Sequence, residues 1–203
     1  MIISLGCNCH PAYWLRKTGL ASQSLPFDWL LTPAHLGLDY VVQVYRNRFA
    51  DFLEDLKLNK RSHPVSSKYP NTELFHHHAL INDDLRKRSE EEEKLSRRAL
   101  RFMELVQEPV VFLYCYPVDV RSTRADRLAR FSLSVDRLLE IFLHARLHVY
   151  LMYDTDNALP SEFISHRERF VVHSYKRDSS VDKLWGTEPE FLSGLGEVKE
   201  GLI

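Results

Sequence analysis

Cys7 and Cys9 flank Asn8 directly after a short apolar run, Ile2-Ile3-Ser4-Leu5, that ends at Gly6. The helical pattern that follows starts near His10 and turns Ala12, Trp14 and Leu15 inward. A cysteine at such a strand-to-helix junction meets free backbone N–H groups and the positive end of a helix dipole, and both favour the thiolate. Cys9 is therefore a candidate nucleophile. Asn8, through its side-chain amide, and the backbone N–H groups of Cys9 and His10 are candidate donors to an oxyanion. The other reading of Cys9 is a packed strand-end cysteine, since free cysteine is among the most buried residue types. Cys115 lies inside a continuous apolar run and reads as core.

A nucleophile needs a base, and the chain holds ten histidines. The densest cluster is Phe75-His76-His77-His78-Ala79. In an extended segment His76 and His78 would face one way and His77 the other, so at most two could serve one site. The competing reading is a solvated surface cluster. Cys7, Cys9, His10 and this cluster would supply enough donors for zinc. Structural zinc, however, takes a second cysteine pair, which is missing here, and H-E-x-x-H is absent, so no metal site is expected.

Ser24-Leu25-Pro26-Phe27-Asp28-Trp29-Leu30 is too aromatic for an idle loop. It is either a packed corner anchored by Phe27 and Trp29, or a segment in which Asp28 orients a histidine and Trp29 lines a substrate. Asp119 and Arg121 follow one β-rich run, and Asp154 and Asp156 follow the next. Ligands of open parallel sheets collect outside the carboxyl ends of the strands. Asp119 and Arg121 are thus candidate substrate-binding residues, Arg121 for an anionic group.

The elements that must position these residues are visible in the pattern. Val110-Val111-Phe112-Leu113-Tyr114-Cys115-Tyr116, His148 to Tyr153 and Phe170 to Tyr175 are nearly continuous in apolar or β-branched residues, as strands covered on both faces are. Between the first two, Leu128, Phe131, Val135, Leu138 and Phe142 recur at helical steps. Strand, helix, strand is a βαβ unit, so the expected fold class is α/β: a central, mainly parallel sheet of about four strands flanked by helices. Residues 1–203 are expected to form one domain, with a helical insertion at about 31–106 between the first and second strands. Within it, residues 33–56 read as one or two helices, 59–72 as a surface loop, and 83–106 as a helix capped from Asn82-Asp83-Asp84. The run Glu90 to Glu93 reads as a solvated helix face.

Twenty-seven basic against 28 acidic residues give a formal charge of −1, so no global field draws this chain to nucleic acid or an anionic membrane. Only seven glycines occur, and none builds a phosphate-cradling loop. Three cysteines are too few for a disulfide framework. No apolar run approaches the roughly 18 residues of a membrane span, and the N-terminus lacks a secretory leader, so a cytoplasmic location is expected.

Ser4-Leu5-Gly6-Cys7-Asn8-Cys9-His10-Pro11-Ala12-Tyr13-Trp14-Leu15-Arg16-Lys17-Thr18-Gly19-Leu20, followed by Ser24-Leu25-Pro26-Phe27-Asp28-Trp29, resembles the bacterial family described as putative papain-like cysteine peptidases. Its members open with S-L-G-x-N-C-x-x-A-x-x-L-R-x-x-G-L and continue into S-x-P-F-D-W. Arg97-Arg98-Ala99-Leu100-Arg101-Phe102 fits the family's later R-R-x-x-R-F, and the resemblance covers about residues 2–115. It aligns Cys9 with the family cysteine and leaves Cys7 at a variable position. The family's aromatic-x-His-Asp element lacks its aspartate here; His77 is the best match, with His76 and His78 open. The Gly-x-Asn-Cys turn is also similar to that of WcbI-like capsule-biosynthesis proteins, which implies a coenzyme A-binding, acyltransferase-like reading, and to the nucleophile placement in SGNH hydrolases.

The resemblance implies a thiol-dependent acyl hydrolase or acyltransferase acting on a small-molecule or peptide acyl substrate, with Cys9 as nucleophile, His77 as base, Asn8 at the oxyanion and Asp28 orienting the histidine. No cofactor is expected on this reading. The alternative is a non-catalytic protein of surface-polysaccharide biosynthesis that binds coenzyme A or a nucleotide-sugar, with Arg121 meeting the anion.

Overall fold

The computed structural model describes residues 1–119, 124–153 and 168–176. Strand β1, Ile2–Ser4, leads into helix α1, His10–Lys17. Helix α2, Gly37–Arg46, follows, then a short antiparallel ribbon of β2, Leu56–Leu58, and β3, Pro64–Ser66. A 3-10 turn, His78–Ile81, precedes the long helix α3, Leu85–Leu105. The chain then runs through β4, Val110–Val118, α4, Ala125–Ile141, β5, Ala145–Tyr153, and β6, Phe170–Lys176.

The four long-range strands form one parallel sheet in the order β1-β4-β5-β6. Both faces are covered, which is why β4 is buried from Val110 through Tyr116 and its sequence does not alternate. Phe112, Tyr114 and Tyr116 face the larger core with Leu95 and Phe102 of α3, Val41 of α2 and Leu128 and Phe131 of α4. Val111, Leu113 and Cys115 face Trp14 and Leu15 of α1. The α/β class and the parallel sheet of four strands are as the sequence implies. Among the described residues no helix is long and apolar enough to cross a membrane.

Two segments differ from expectation. The stretch after α2 turns through residues 47–55 and enters the ribbon instead of continuing as helix, and the 59–72 loop contains β3. Leu56–Leu58 is largely exposed and three residues long, so it leaves no burial pattern to read. At α3 the cap is Asp84, whose side chain accepts from the N–H groups of Arg86 and Lys87. Arg121, Asp154, Asp156 and the residues after 176 lie outside the described residues.

Candidate active site

The junction after β1 is tightly held. The Leu5 N–H donates to the Leu113 carbonyl at 2.9 Å, continuing the β1–β4 pairing. The Cys7 thiol, buried, donates to the Cys115 carbonyl at 2.6 Å, so this cysteine is a structural tie. Gly6 lies between them against the neighbouring chain: a Cβ there would stand 2.5 Å from the Phe27 carbonyl oxygen and 3.0 Å from that of Asn8. Only glycine allows that approach. Cys9 is the N-cap of α1, and Pro11 sits in the first turn, where its missing N–H costs nothing. The Asn8 Oδ1 accepts the His10 N–H at 3.0 Å. The His10 N–H is therefore spent on the turn, which corrects its assignment as an oxyanion donor. The same bond fixes the Asn8 amide so that Nδ2 remains its donor.

Two segments distant in sequence are laced to this turn through the main chain, one directly and the other through the first. The Thr32 N–H donates to the Cys7 carbonyl at 2.9 Å. One residue earlier, Leu31 and Glu73 exchange both backbone hydrogen bonds, at 3.0 and 2.8 Å, as an isolated antiparallel bridge. Residues 7–9, 29–32 and 73–76 thus lie side by side. Backbone pairing places Trp29 and His76 beside Cys9, although Cys9 and His76 are 67 residues apart.

The histidine that meets the cysteine is His76. Its Nε2 lies 3.6 Å from the Cys9 Sγ, within hydrogen-bond reach for sulfur. Trp29, half-buried, meets the His76 ring edge-on at 5.4 Å between centroids, and the Arg16 guanidinium carbon stands 4.9 Å from the Trp29 ring centre. Burial pushes the Cys9 thiol above its ordinary value, with its own backbone N–H pulling the other way. Burial, and then the neighbouring His78, pushes His76 below the usual imidazole range. Both shifts favour the neutral thiol and neutral imidazole over the ion pair. The thiolate expected from the helix terminus gives way to desolvation.

His77 does something else. It is 3% exposed, and its Nδ1 is 2.5 Å from the Glu91 Oε1. The Lys94 ammonium holds both oxygens of the same carboxylate at 3.0 Å. Burial pushes His77 down, with Glu91 opposing. Burial pushes Glu91 up, but its bonds to His77 and Lys94 outweigh that and hold it low. The arrangement is a neutral imidazole donating Nδ1–H to an ionised carboxylate, with Nε2 buried and without a hydrogen bond. His77, expected as the base of Cys9, is thus placed against Glu91 and His76 against the thiol: the cluster is a turn entering a 3-10 helix, not a strand, so neighbours diverge without period-two alternation. His78 turns toward His63, 5.7 Å between ring centres.

Asp28 is 6% exposed and accepts the Leu25 N–H at 2.8 Å through Oδ2. It closes its own corner, and among the described residues no histidine is hydrogen-bonded to it; the carboxylates on histidines are those of Glu91, on His77, and Glu73, 2.6 Å from the His63 Nδ1. Burial raises Asp28 to about 6, against the Leu25 hydrogen bond and the charges of Arg16 and Arg98. Asp119 is exposed just past β4. Glu91 is the residue missed within the acidic run. Glu90, Glu92 and Glu93 do pair with Arg86, Arg88 and Arg97 on the helix surface. Glu91, four residues before buried Leu95 and eight before Ala99, shares the buried face, and that spacing is the signal that finds it. Among the described residues no group of three or more His, Cys, Asp or Glu is placed to hold a metal ion.

The family model described as "Putative papain-like cysteine peptidase (DUF1796)" matches residues 1–119, more than half of the chain. Every residue of the Cys9 site lies within that span. Among curated proteins, the uncharacterized protein R408 of Acanthamoeba polyphaga mimivirus is 35% identical over 66 residues. Those residues are 32% of this chain and 30% of that protein, so the chain spans about a third of the length of this relative. No solved structure matches.

Proposed function

The chain belongs to this family of putative papain-like cysteine peptidases, and from that premise we propose that it is a cysteine-dependent acyl hydrolase with Cys9 as nucleophile and His76 as general base. The observation that carries the reading is the 3.6 Å approach of the His76 Nε2 to the Cys9 Sγ.

With both partners neutral, attack and proton transfer go together. The Cys9 sulfur bonds to the acyl carbon while its proton passes to Nε2 of His76. The charge that develops on the carbonyl oxygen is met by the Asn8 Nδ2 and the Cys9 backbone N–H, both on the turn before α1. Collapse breaks the bond to the leaving group, which takes the proton from His76 and departs. Water, deprotonated by the same imidazole, then attacks the thioester, and the thiol regains its proton. An amine or hydroxyl entering in place of water makes the same machinery an acyltransferase.

The test is an acyl adduct on intact protein. Incubation with p-nitrophenyl and thioester acyl donors should label one residue, Cys9, in a hydroxylamine-sensitive bond. Cys9→Ala should abolish the adduct, Cys7→Ala should keep it, and His76→Ala should slow its formation by about 10²–10⁴-fold. An adduct that forms equally well in His76→Ala removes the general-base assignment.

A further inference from the structure

Between the outer edge of β1, helix α1 and helix α3 lies a cavity of about 370 Å3, in the size range of small-molecule sites. Leu15, Leu20, Leu25 and Leu105 form its aliphatic walls. Two buried polar side chains also line it. Ser4 is 1% exposed and its Oγ has no hydrogen-bond partner. Asp28 lines it with Oδ2 held by the Leu25 N–H. Buried hydroxyls are ordinarily paired, so Ser4 is a polar group supplied for something the cavity holds.

The charge around the cavity favours an anion. Arg16 and Arg101 line it, and both are tied to Ser24, Arg16 through the Ser24 hydroxyl and Arg101 through the Ser24 carbonyl at 3.1 Å. Arg98 of α3 adds its charge beside Asp28. Two guanidinium groups line the cavity with the carboxyls of Asp28 and Glu104, and the charge of Arg98 acts on Asp28 from outside the lining. A planar guanidinium fork is suited to a carboxylate above other anions of that size.

The cavity is also joined to Cys9. Arg16 packs on Trp29, Trp29 on His76, and His76 meets the thiol. Arg16 follows Cys9 by seven residues on α1, about 10 Å along the helix axis, a span that an extended peptide end covers in about three residues.

We propose that this cavity binds the carboxylate-bearing end of an apolar substrate, with Arg16 and Arg101 on the carboxylate, Ser4 on a second polar atom and the leucine walls on the body. The shared chemistry is a carboxylate on an aliphatic body, whether the C-terminal residue of a peptide or a free acid. As a substrate pocket it rests on the acyl chemistry proposed for Cys9.

Binding is tested on the Cys9→Ala protein, in which nothing is turned over, by calorimetric titration with N-acetyl-alanyl-leucine, hexanoate and the primary amide of each. The acids should bind at least tenfold tighter than their amides, and Arg16→Gln should erase that difference. Ser4→Ala breaks no existing hydrogen bond, so it should weaken binding severalfold without lowering Tm. Tighter binding of the peptide acid than of hexanoate assigns a peptide terminus, and the reverse assigns a free acid. Equal binding of acid and amide, a preference that survives Arg16→Gln, or no binding at millimolar concentration overturns the proposal. The two readings fail separately. Wild-type protein that cleaves peptides with free and amidated ends equally fast keeps the Cys9 chemistry and removes this pocket; acid-selective binding with no acyl adduct in the wild type keeps the pocket and removes the chemistry.

Discussion

The Cys9 thiol meets the imidazole of His76 at 3.6 Å, while His77, the next residue, points its ring at Glu91. Two adjacent histidines are thus divided between a solvent-accessible cysteine site and a buried ion-stabilised contact. Substitutions separate them. His76→Ala should cut acyl-adduct formation at Cys9 by about 10²–10⁴-fold with little change in Tm. His77→Ala should lower stability first, by about 1–3 kcal/mol for the lost packing and hydrogen bond. Adduct kinetics and thermal melts on the two variants decide the division, and a reversed pattern refutes it.

The neutral state of the pair has a signature in pH. The Cys9 thiol is raised and His76 is lowered, so little thiolate exists at neutral pH. Alkylation of Cys9 by iodoacetamide should be slow at pH 6 and rise about tenfold per unit until it passes the ordinary thiol range near 8.5. A rate that is already flat between pH 5 and 7 would mean a thiolate–imidazolium pair instead.

Glu91 is the anchor of the second histidine. Glu91→Gln keeps the shape and removes the charge that accepts the His77 Nδ1–H and the Lys94 ammonium. A hydrogen bond to a charged group is worth more than a neutral one, so the variant should lose about 1–2 kcal/mol in chemical denaturation. Glu90→Gln, on the exposed face, should change stability by less than about 0.5 kcal/mol.

Asp28 contributes an inverted pH dependence. Its carboxyl titrates at about 6 in the fold, against about 3.9 in the unfolded chain. Between those values the native state holds the proton more tightly, so this group's contribution to stability is full below pH 4 and is lost as pH rises through 6. Asp28→Asn, whose amide oxygen can still accept the Leu25 N–H, should be more stable than the wild type at pH 7.5, by up to about 2–3 kcal/mol. That gain should shrink toward zero at pH 4. Burial and the neighbouring His173 lower His148 to about 4, which imposes the opposite slope on the whole protein, so the informative quantity is the difference between variant and wild type at each pH.

Gly6 sets the distance between the Cys9 turn and the Phe27 corner. Gly6→Ala drives a methyl into two carbonyl oxygens, and because the obstacle is backbone, the turn itself must move. The expected cost is about 1–3 kcal/mol. Adduct formation at Cys9 should fall by more than that loss of folded population explains.

Burial on both faces made the sheet legible: β4, β5 and β6 leave continuous apolar runs, and α3 and α4 leave helical periods with a cap at Asp84. The junction around Cys9 was legible for the same local reason, a strand, a glycine and a helix start in ten residues. Which histidine serves the cysteine was not legible. That choice depends on a turn whose geometry is set by pairing with Leu31, 42 residues earlier in the chain than Glu73. Glu91 was obscured by composition, because a run of four glutamates reads as one solvated face unless each is placed against the spacing of Leu95 and Ala99. The ribbon leaves no pattern because each strand is only three residues long and β2 is largely exposed while β3 is buried throughout.

The lacing of Thr32 to Cys7 and of Glu73 to Leu31 lies outside the main sheet. These few main-chain bonds join segments remote in sequence, so they carry the entropic cost of closing two long loops without the cooperativity of a ladder. The constellation is therefore expected to open before the sheet does. In mild denaturant the amides of Thr32 and Glu73 should exchange with solvent deuterium well before those of Phe112 and Val149. The chain then passes through a form whose sheet persists, whose circular dichroism is nearly native, and whose chemistry is already gone.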